Sequence, residues 1–276
     1  MIFCDSALAM RIEAAECQLL KDACANVAHR VADVFAREIC GGFAAFTEPG
    51  SPLNKVTGLG TGATFDEKEF VGVEEAHQAR GAAIQVELAT LAEPRIAKWL
   101  TGRGYELVGV ENVLGLKLPA PARNSAAGSL DISHSSLGEL NAWLELIVAG
   151  FAVPDVQGVA AHEEYDRAVL RNVVRDFAQA DGVLRYTAMS EGTPVGAATM
   201  RIFAGIAQLC GAATLQQHRR RGVQSALLDQ RLIEATRAGC EIAVVTTQPG
   251  SKSQQNAQRQ GFELLYARNV LRREPR

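Results

Sequence analysis

Leu215-Gln-Gln-His-Arg-Arg-Arg-Gly-Val-Gln-Ser-Ala-Leu-Leu228 is the stretch on which the reading of this chain turns. An apolar run over 206–215 leads into it, and Leu228, Leu232 and Ala235 continue from it at helical spacing. The segment is therefore the junction of a strand and a helix predicted over 225–238. A helix start carries backbone N–H groups without intrahelical partners, and its dipole end is positive. Arg219, Arg220 and Arg221 oppose that dipole, a local conflict that a bound anion resolves. Gly222 allows close backbone approach. The amides of residues 220–225 can then wrap a pyrophosphate, with guanidinium groups adding charge-assisted bonds. The Gly-Lys-Ser/Thr of a P-loop is absent. What remains is a site for a different phosphate-bearing cofactor.

The sequence around this junction parses into regular elements. Residues 137–151 have helical spacing (Leu140, Trp143, Leu144, Ile147), with Ser136 and Glu139 placed as a capping box. A second helix is predicted over 163–180. Strands are predicted over 183–190 and 195–203, joined by a Glu191-Gly192-Thr193-Pro194 turn, and a third over 206–215. A buried-type strand over 241–247, a short helix over 251–260 and a strand over 261–271 complete the half. The order implies an α/β fold, a mixed sheet flanked by helices. Residues 119–136 are rich in Pro, Ala, Ser and Gly and read as a linker. It separates an N-terminal domain over 1–118 from a C-terminal domain over 137–276.

An internal repeat relates these halves. Residues 104–115 read GYELVGVENVLG and residues 261–272 read GFELLYARNVLR, identical at six of twelve positions at an offset of 157. The elements upstream match in order: helix 67–78, strand 82–90 and helix 93–102 correspond to the helix, strand and helix before Gly261. The first half has no arginine run at the corresponding place. Its Gly58, Gly60 and Gly62 fit a bare turn better than a phosphate loop. It reads as a copy of the fold without the anion site.

Composition narrows the setting. The chain has 276 residues, 47% hydrophobic and 21% charged, with a net charge of −3. That suits two folded domains and argues against an arginine-rich nucleic-acid binder. The six cysteines show no C-x-x-C spacing and histidines number five, so no zinc site is expected. The start of the chain is broken by Asp5 and has no signal-peptide pattern, and no apolar run is long enough for a membrane span. A reduced, cytoplasmic protein is expected, with no nucleic-acid or membrane partner and with room for a homodimer.

Arg219-Arg220-Arg221-Gly222-Val223-Gln224 resembles the Q/R-x-x-G-x-G/A signature of the GNAT superfamily, the acetyl-CoA-dependent N-acetyltransferases. The element order and Gly261-Phe262 fit the same family across the C-terminal half, and the repeat extends the likeness to a tandem arrangement of two GNAT-like domains. The resemblance implies that Ala212, Ala213 and Thr214 bond the pantetheine arm of acetyl-CoA through their backbone. It implies that Arg220, Arg221, Gly222, Val223, Gln224 and Ser225 hold the pyrophosphate, and that Ser253 and Asn256 lie near the thioester end. No metal is implied.

Two positions depart from the family pattern. Gln224 stands where Gly or Ala is usual, so its side chain must turn away from the phosphates. Ala257 stands where a tyrosine usually protonates the leaving thiolate, and Tyr266 is no substitute. The implied reaction is direct attack by a primary amine of a small molecule or peptide on the thioester, in a ternary complex. A backbone N–H on the signature strand would hold the oxyanion. His162, beside Asp155, Glu163 and Glu164, is a candidate base by intrinsic pKa, with an ordinary loop histidine as the alternative. Cys210, in an apolar strand, reads as an inert thiol, and Trp143 as core, with Phe151 either core or a border of the acceptor pocket. The other functional reading is a non-catalytic acyl-CoA-binding or sensing module.

Overall fold

A computed structural model of the chain describes residues 1–120, 130–153, 158–159 and 165–275. The N-terminal half contributes α1 (Ser6–Val27), β1 (Phe35–Ile39), β2 (Gly42–Phe46), β3 (Lys55–Thr57), α2 (Glu67–Gln78), β4 (Ile84–Ala89), α3 (Pro94–Gly102) and β5 (Glu106–Lys117). The C-terminal half contributes β6 (Leu130–His134), α4 (Leu140–Phe151), α5 (Arg167–Ala178), β7 (Val183–Ser190), β8 (Thr193–Phe203), β9 (Ile206–Gln208) and β10 (Ala212–Thr214). It closes with α6 (Val223–Arg237), β11 (Ile242–Thr247), α7 (Lys252–Arg259) and β12 (Glu263–Arg273).

All twelve strands join one mixed sheet, in the order β1-β2-β3-β4-β12-β5-β11-β9-β8-β7-β6, with β10 paired to β8. The halves are not two separate sheets laid edge to edge. The last strand of each is inserted into the other: β12 runs between β4 and β5, and β5 runs between β12 and β11. The two repeat segments therefore pair with each other, antiparallel, with Arg268 opposite Glu111 and Ala267 opposite Asn112. Strand order reads the same outward from this ladder on both sides, a pseudo-two-fold arrangement in which β3–β4 and β9–β11 are the corresponding parallel pairs.

Helix α1 lies across this seam. Its apolar positions Ala9, Ile12, Ala15, Leu19, Leu20 and Ala23 recur at helical spacing and are buried, and Asp5 caps its start by accepting from the Leu8 N–H at 2.8 Å. Ala9, Ile12 and Ala15 pack on Ala89, Val113, Ile206, Ile242, Val244 and Tyr266, which come from strands of both halves. On the opposite face, α6 covers Val195, Ala198 and Met200 with Val223, Leu227 and Leu232, while α2 and α3 cover Val56, Val86 and Leu271 with Phe70, Ile96 and Leu100.

Several predicted boundaries shift. Residues 130–134, read as the end of the linker, form the edge strand β6 on β7; Leu130 and Ile132 alternate with exposed Asp131 and Ser133, a period of two hidden by small polar neighbours. The strand predicted over 206–215 breaks at Gly211, whose φ of +124° ends β9 and starts β10 on a different course. The second helix begins at Arg167 rather than 163, because the Asp166 side chain caps it by accepting from Ala168 and Val169. The Ser136–Glu139 capping box is present, on a single 3₁₀ turn that leads into α4. Helix α1 and the β1–β2 hairpin lie in a region to which the periodicity assigned no elements.

Candidate functional site

The site begins where two parallel strands part. β9 and β11 are paired from Ile206–Ile242 to Gln208–Val244, and the Leu209 N–H still reaches the Val244 carbonyl at 2.9 Å. Beyond that point β10 stays with β8, with Ala212 opposite Ala198 and Thr214 opposite Gly196, and no described residue pairs its other edge. A cleft thus opens at the carboxyl ends of parallel strands, where open α/β sheets place their ligands. Two glycines let helices close on it. A Cβ on Gly150 of α4 would lie 2.6 Å from the Ala213 Cβ, and one on Gly196 would lie 2.7 Å from the Val223 Cγ1 of α6.

The departure of β10 is held by a residue that sequence inspection did not single out. Arg231 of α6 is buried and has no carboxylate partner among the described residues. It donates to the carbonyls of Leu227 and Thr199 at 3.0 Å and of Gly211 at 3.5 Å, so it pins the break itself. Burial lowers its pKa to about 10. The signal was an arginine inside the i, i+4 apolar row Val223, Leu227, Arg231, Ala235.

The chain then enters the arginine-glycine turn. Arg220 takes a φ of +63° and Gly222 a φ of +81°, which starts α6 from a left-handed residue with no side-chain cap. Among the described residues, the N–H groups of Arg220 through Ser225 make no backbone or side-chain hydrogen bond. The three arginines divide their roles. Arg219 is a strut: its guanidinium donates to the carbonyls of Thr214 at 3.4 Å, Gly150 at 3.2 Å and Val153. Arg220 and Arg221 are exposed and engage no described residue. Gln224 turns back toward β10, and its Nε2 donates to the Thr214 hydroxyl at 3.1 Å, which leaves its backbone N–H facing the turn.

The first half supplies the contrast. The start of α2, which corresponds to α6 in the repeat, is capped by its own Asp66, which accepts from the N–H groups of Lys68 at 2.8 Å and Glu69 at 3.2 Å. Its glycine loop is closed on itself. The Gly60 N–H goes to the Cys40 carbonyl and the Thr61 N–H to Gly58, and a Cβ on Gly60 would lie 2.4 Å from Ile96. A carboxylate and core side chains stand where the second half leaves amides and two cations open.

Ser253 is exposed and Asn256 half-buried on α7, which packs beside β11. Ala257 points into the core next to Phe262. Tyr266 is buried far from the turn, its hydroxyl donating to Glu13 at 2.5 Å. His162, with Asp155, Glu163 and Glu164, lies outside the described residues. Burial, with Glu16 nearby, pushes the Cys210 thiol up to about 12, so it is protonated and a poor nucleophile. Trp143 is core and donates to the Tyr186 carbonyl at 3.0 Å, whereas Phe151 is 37% exposed with its ring against Gly211. All six cysteines are free, no group of His, Cys, Asp and Glu among the described residues could hold a metal, and no described helix is long and apolar enough to cross a membrane.

Residues 148–262 match the model of the acetyltransferase (GNAT) family. Solved structures share the fold over most of the chain. A GCN5-related N-acetyltransferase from Kribbella flavida has a TM-score of 0.68 at 19% identity, covering 98% of this chain and 96% of that one. One from Sphaerobacter thermophilus has a TM-score of 0.57 at 16% identity, covering 88% and 75%. A tandem GNAT protein from the clavulanic acid biosynthesis pathway has 0.56 at 12%, covering 84% and 78%. At these identities the likeness is one of fold. No curated protein matches the chain.

Proposed function

We propose that this chain is an N-acetyltransferase that moves an acetyl group from acetyl-CoA to a primary amine of a small molecule or peptide, by direct attack in a ternary complex. The observation that carries the reading is the start of α6: among the described residues, six consecutive N–H groups without a hydrogen bond, a left-handed glycine and two guanidinium groups without a partner form an anion cradle. In this reading Arg220 to Ser225 hold the pyrophosphate, and the free edge of Ala212, Ala213 and Thr214 meets the pantetheine amides. Ser253 and Asn256 border the far end. Acetyl-CoA is the donor substrate and supplies an activated acyl group. The high thiol pKa of Cys210 disfavours an acyl-enzyme, which supports direct transfer. Six free thiols support a reducing, cytoplasmic setting.

Ala257 in the core leaves the sequence-derived alternative, an acyl-CoA sensor, with one observation in its favour: no side chain at that position can protonate a departing thiolate. Two measurements separate the readings. A ligand that binds the folded state at 100 times its Kd stabilises it by about 2.7 kcal/mol, so acetyl-CoA should raise the melting temperature in either case. Thiol release on adding amines is expected for the enzyme alone. Stabilisation without thiol release across a broad amine panel overturns the enzymatic reading, and no stabilisation overturns the donor assignment.

A further inference from the structure

The face of the sheet beneath α1 carries a row of charged side chains that crosses the seam between the halves. Lys55 of β3 pairs with Glu87 of β4 at 2.9 Å and lies 3.5 Å from Glu16 of α1. Arg268 of β12 pairs with Glu13 of α1 at 2.8 Å, lies 3.8 Å from Glu111 of β5, and donates to the Thr246 hydroxyl of β11 at 3.4 Å. Four carboxylates thus face two cations, since the neighbouring Arg201 is taken up by Asp22 at 2.6 Å. Excess negative charge in a largely buried layer is costly unless a proton or a cation joins it. A second observation points the same way. Glu13 is 1% exposed, its Oε1 takes both Tyr266 and Arg268, and its Oε2 has no hydrogen-bond partner. A buried carboxylate oxygen left bare is a vacancy for a donor.

This layer adjoins both strands that part at the cleft. Gln208 is the last residue β9 shares with β11, and its Nε2 donates to the Glu16 carboxylate at 3.5 Å. β11 ends at Thr247, opposite Asn112, so Glu111 stands one residue beyond that strand's carboxyl end. Glu111 shares the α1 face with its i+2 neighbour Val113, which packs on Ala9 and Ile12. The side chains of Glu111 and Glu16 are 32% and 19% exposed, so solvent reaches them, unlike Glu13 and Glu87.

Resting on the acetyl-CoA reading, we propose that the acceptor end of the cleft is completed by the N-terminal half, whose Glu16 and Glu111 receive a cationic amine, with Glu111 taking its proton. An ammonium group cannot attack; it must first lose a proton. Transfer of that proton to the Glu111 carboxylate frees the nitrogen lone pair. The N–C bond then forms at the thioester carbonyl, the C–S bond breaks, the thiolate leaves with the second nitrogen proton, and Glu111 releases its proton to water. Burial, with Glu87 and Glu16 as like charges, raises the Glu111 pKa to about 7 against the opposing pull of Lys55 and Arg268. The groups facing Glu111 are thus Glu13 and Glu16 from α1, Lys55 from β3, Glu87 from β4 and Arg268 from β12, with the neutral Thr246 on β11.

The test uses the full chain, Glu111→Gln and Glu16→Gln, with acetyl-CoA and a panel containing 1,4-diaminobutane, n-butylamine, glycinamide and a neutral-tailed dipeptide. Acetyl-CoA affinity should match wild type in both variants, which separates this proposal from the donor reading. For Glu111→Gln, kcat/KM toward the amine should fall at least about 100-fold and lose the ascending limb near pH 7. Glu16→Gln should raise the amine KM at least about tenfold with kcat little changed. Retention of the rate and its pH limb in Glu111→Gln overturns the proposal while leaving donor binding intact. So does a wild-type protein that binds acetyl-CoA yet releases no thiol with any amine of the panel.

Discussion

Reversing the charge of the anion cradle should change binding and stability in opposite directions. Among the described residues Arg220 and Arg221 have no hydrogen-bond or ion-pair partner, so Arg220→Glu with Arg221→Glu breaks no polar contact there. Both stand at the positive end of the α6 dipole, where carboxylates are favoured by roughly 0.3–1 kcal/mol each and cations are not. The melting temperature of the ligand-free protein should therefore hold or rise slightly. Binding should collapse. Hydrogen bonds to charged groups contribute about 1.5–3 kcal/mol each, so losing two such contacts to a pyrophosphate costs about 3–6 kcal/mol. That corresponds to roughly 10²–10⁴-fold in Kd, before repulsion between the new carboxylates and the phosphates is counted. Isothermal titration with acetyl-CoA, alongside thermal unfolding without ligand, reads both quantities on one preparation. Arg219→Ala is the informative control: it breaks a strut onto three carbonyls and should lower the melting temperature. An unchanged Kd in the double variant refutes the assignment of the cradle. A lowered ligand-free stability refutes the claim that these two arginines have no structural task.

Two further outcomes follow from the first half. Asp66→Ala uncaps α2 and should cost about 1 kcal/mol of stability, while the acetyl-CoA stoichiometry stays at one per chain; a second equivalent bound would show that the cap alone keeps ligand out. His77 is fully buried, edge-on to Phe35 and Phe46, with neither ring nitrogen hydrogen-bonded, and burial followed by Arg80 and Arg273 lowers its pKa to about 4. The folded state thus resists a proton that the unfolded chain takes up below about pH 6.5. Stability should be full above that pH and decline as pH falls toward 4, by up to about 3 kcal/mol from this group. Denaturant melts of wild type and His77→Leu from pH 7 to 4 check this; parallel declines in the two proteins would exclude the histidine as the cause.

What the sequence made legible was whatever local pattern encodes. Strand 183–190 and helix 67–78 coincide with β7 and α2, because alternation and helical spacing are properties of neighbouring residues. The cradle was legible for the same reason, since a glycine and three arginines before a helix form one contiguous signal. The exchange of β5 and β12 was not. A strand's periodicity shows which face it buries but not which strand it adjoins, and two similar repeat segments fit either sheet equally well. Glu13, Glu16, Lys55, Glu87 and Arg268 escaped notice because their partners are remote in sequence; Glu13 and Arg268 are 255 residues apart. Taken singly, each looks like a surface charge. The break at Gly211 was hidden by a continuous apolar run, and the arginine that holds it comes from a helix two elements on.

The exchange also explains why a half that lacks the cradle stays in the chain. Removing residues 1–118 would strip β5 from β11 along six residue pairs, leaving Ile242 to Thr247 with an open edge beside the cleft. It would remove α1 from the apolar patch formed by Ile206, Ile242, Val244 and Tyr266. It would also take from Arg268 both its ion-pair partner Glu13 and the helix that covers it, turning a paired side chain of the seam into an exposed one. Each of these losses falls on the C-terminal half's own strands, and two of them on β11, one wall of the cleft. The first copy can carry a capping aspartate where the second has an open turn at no cost to this arrangement, because what it supplies to the second copy is a strand, a helix face and a set of carboxylates. Those are features of its fold, and none of them depends on the loop in which the two copies differ.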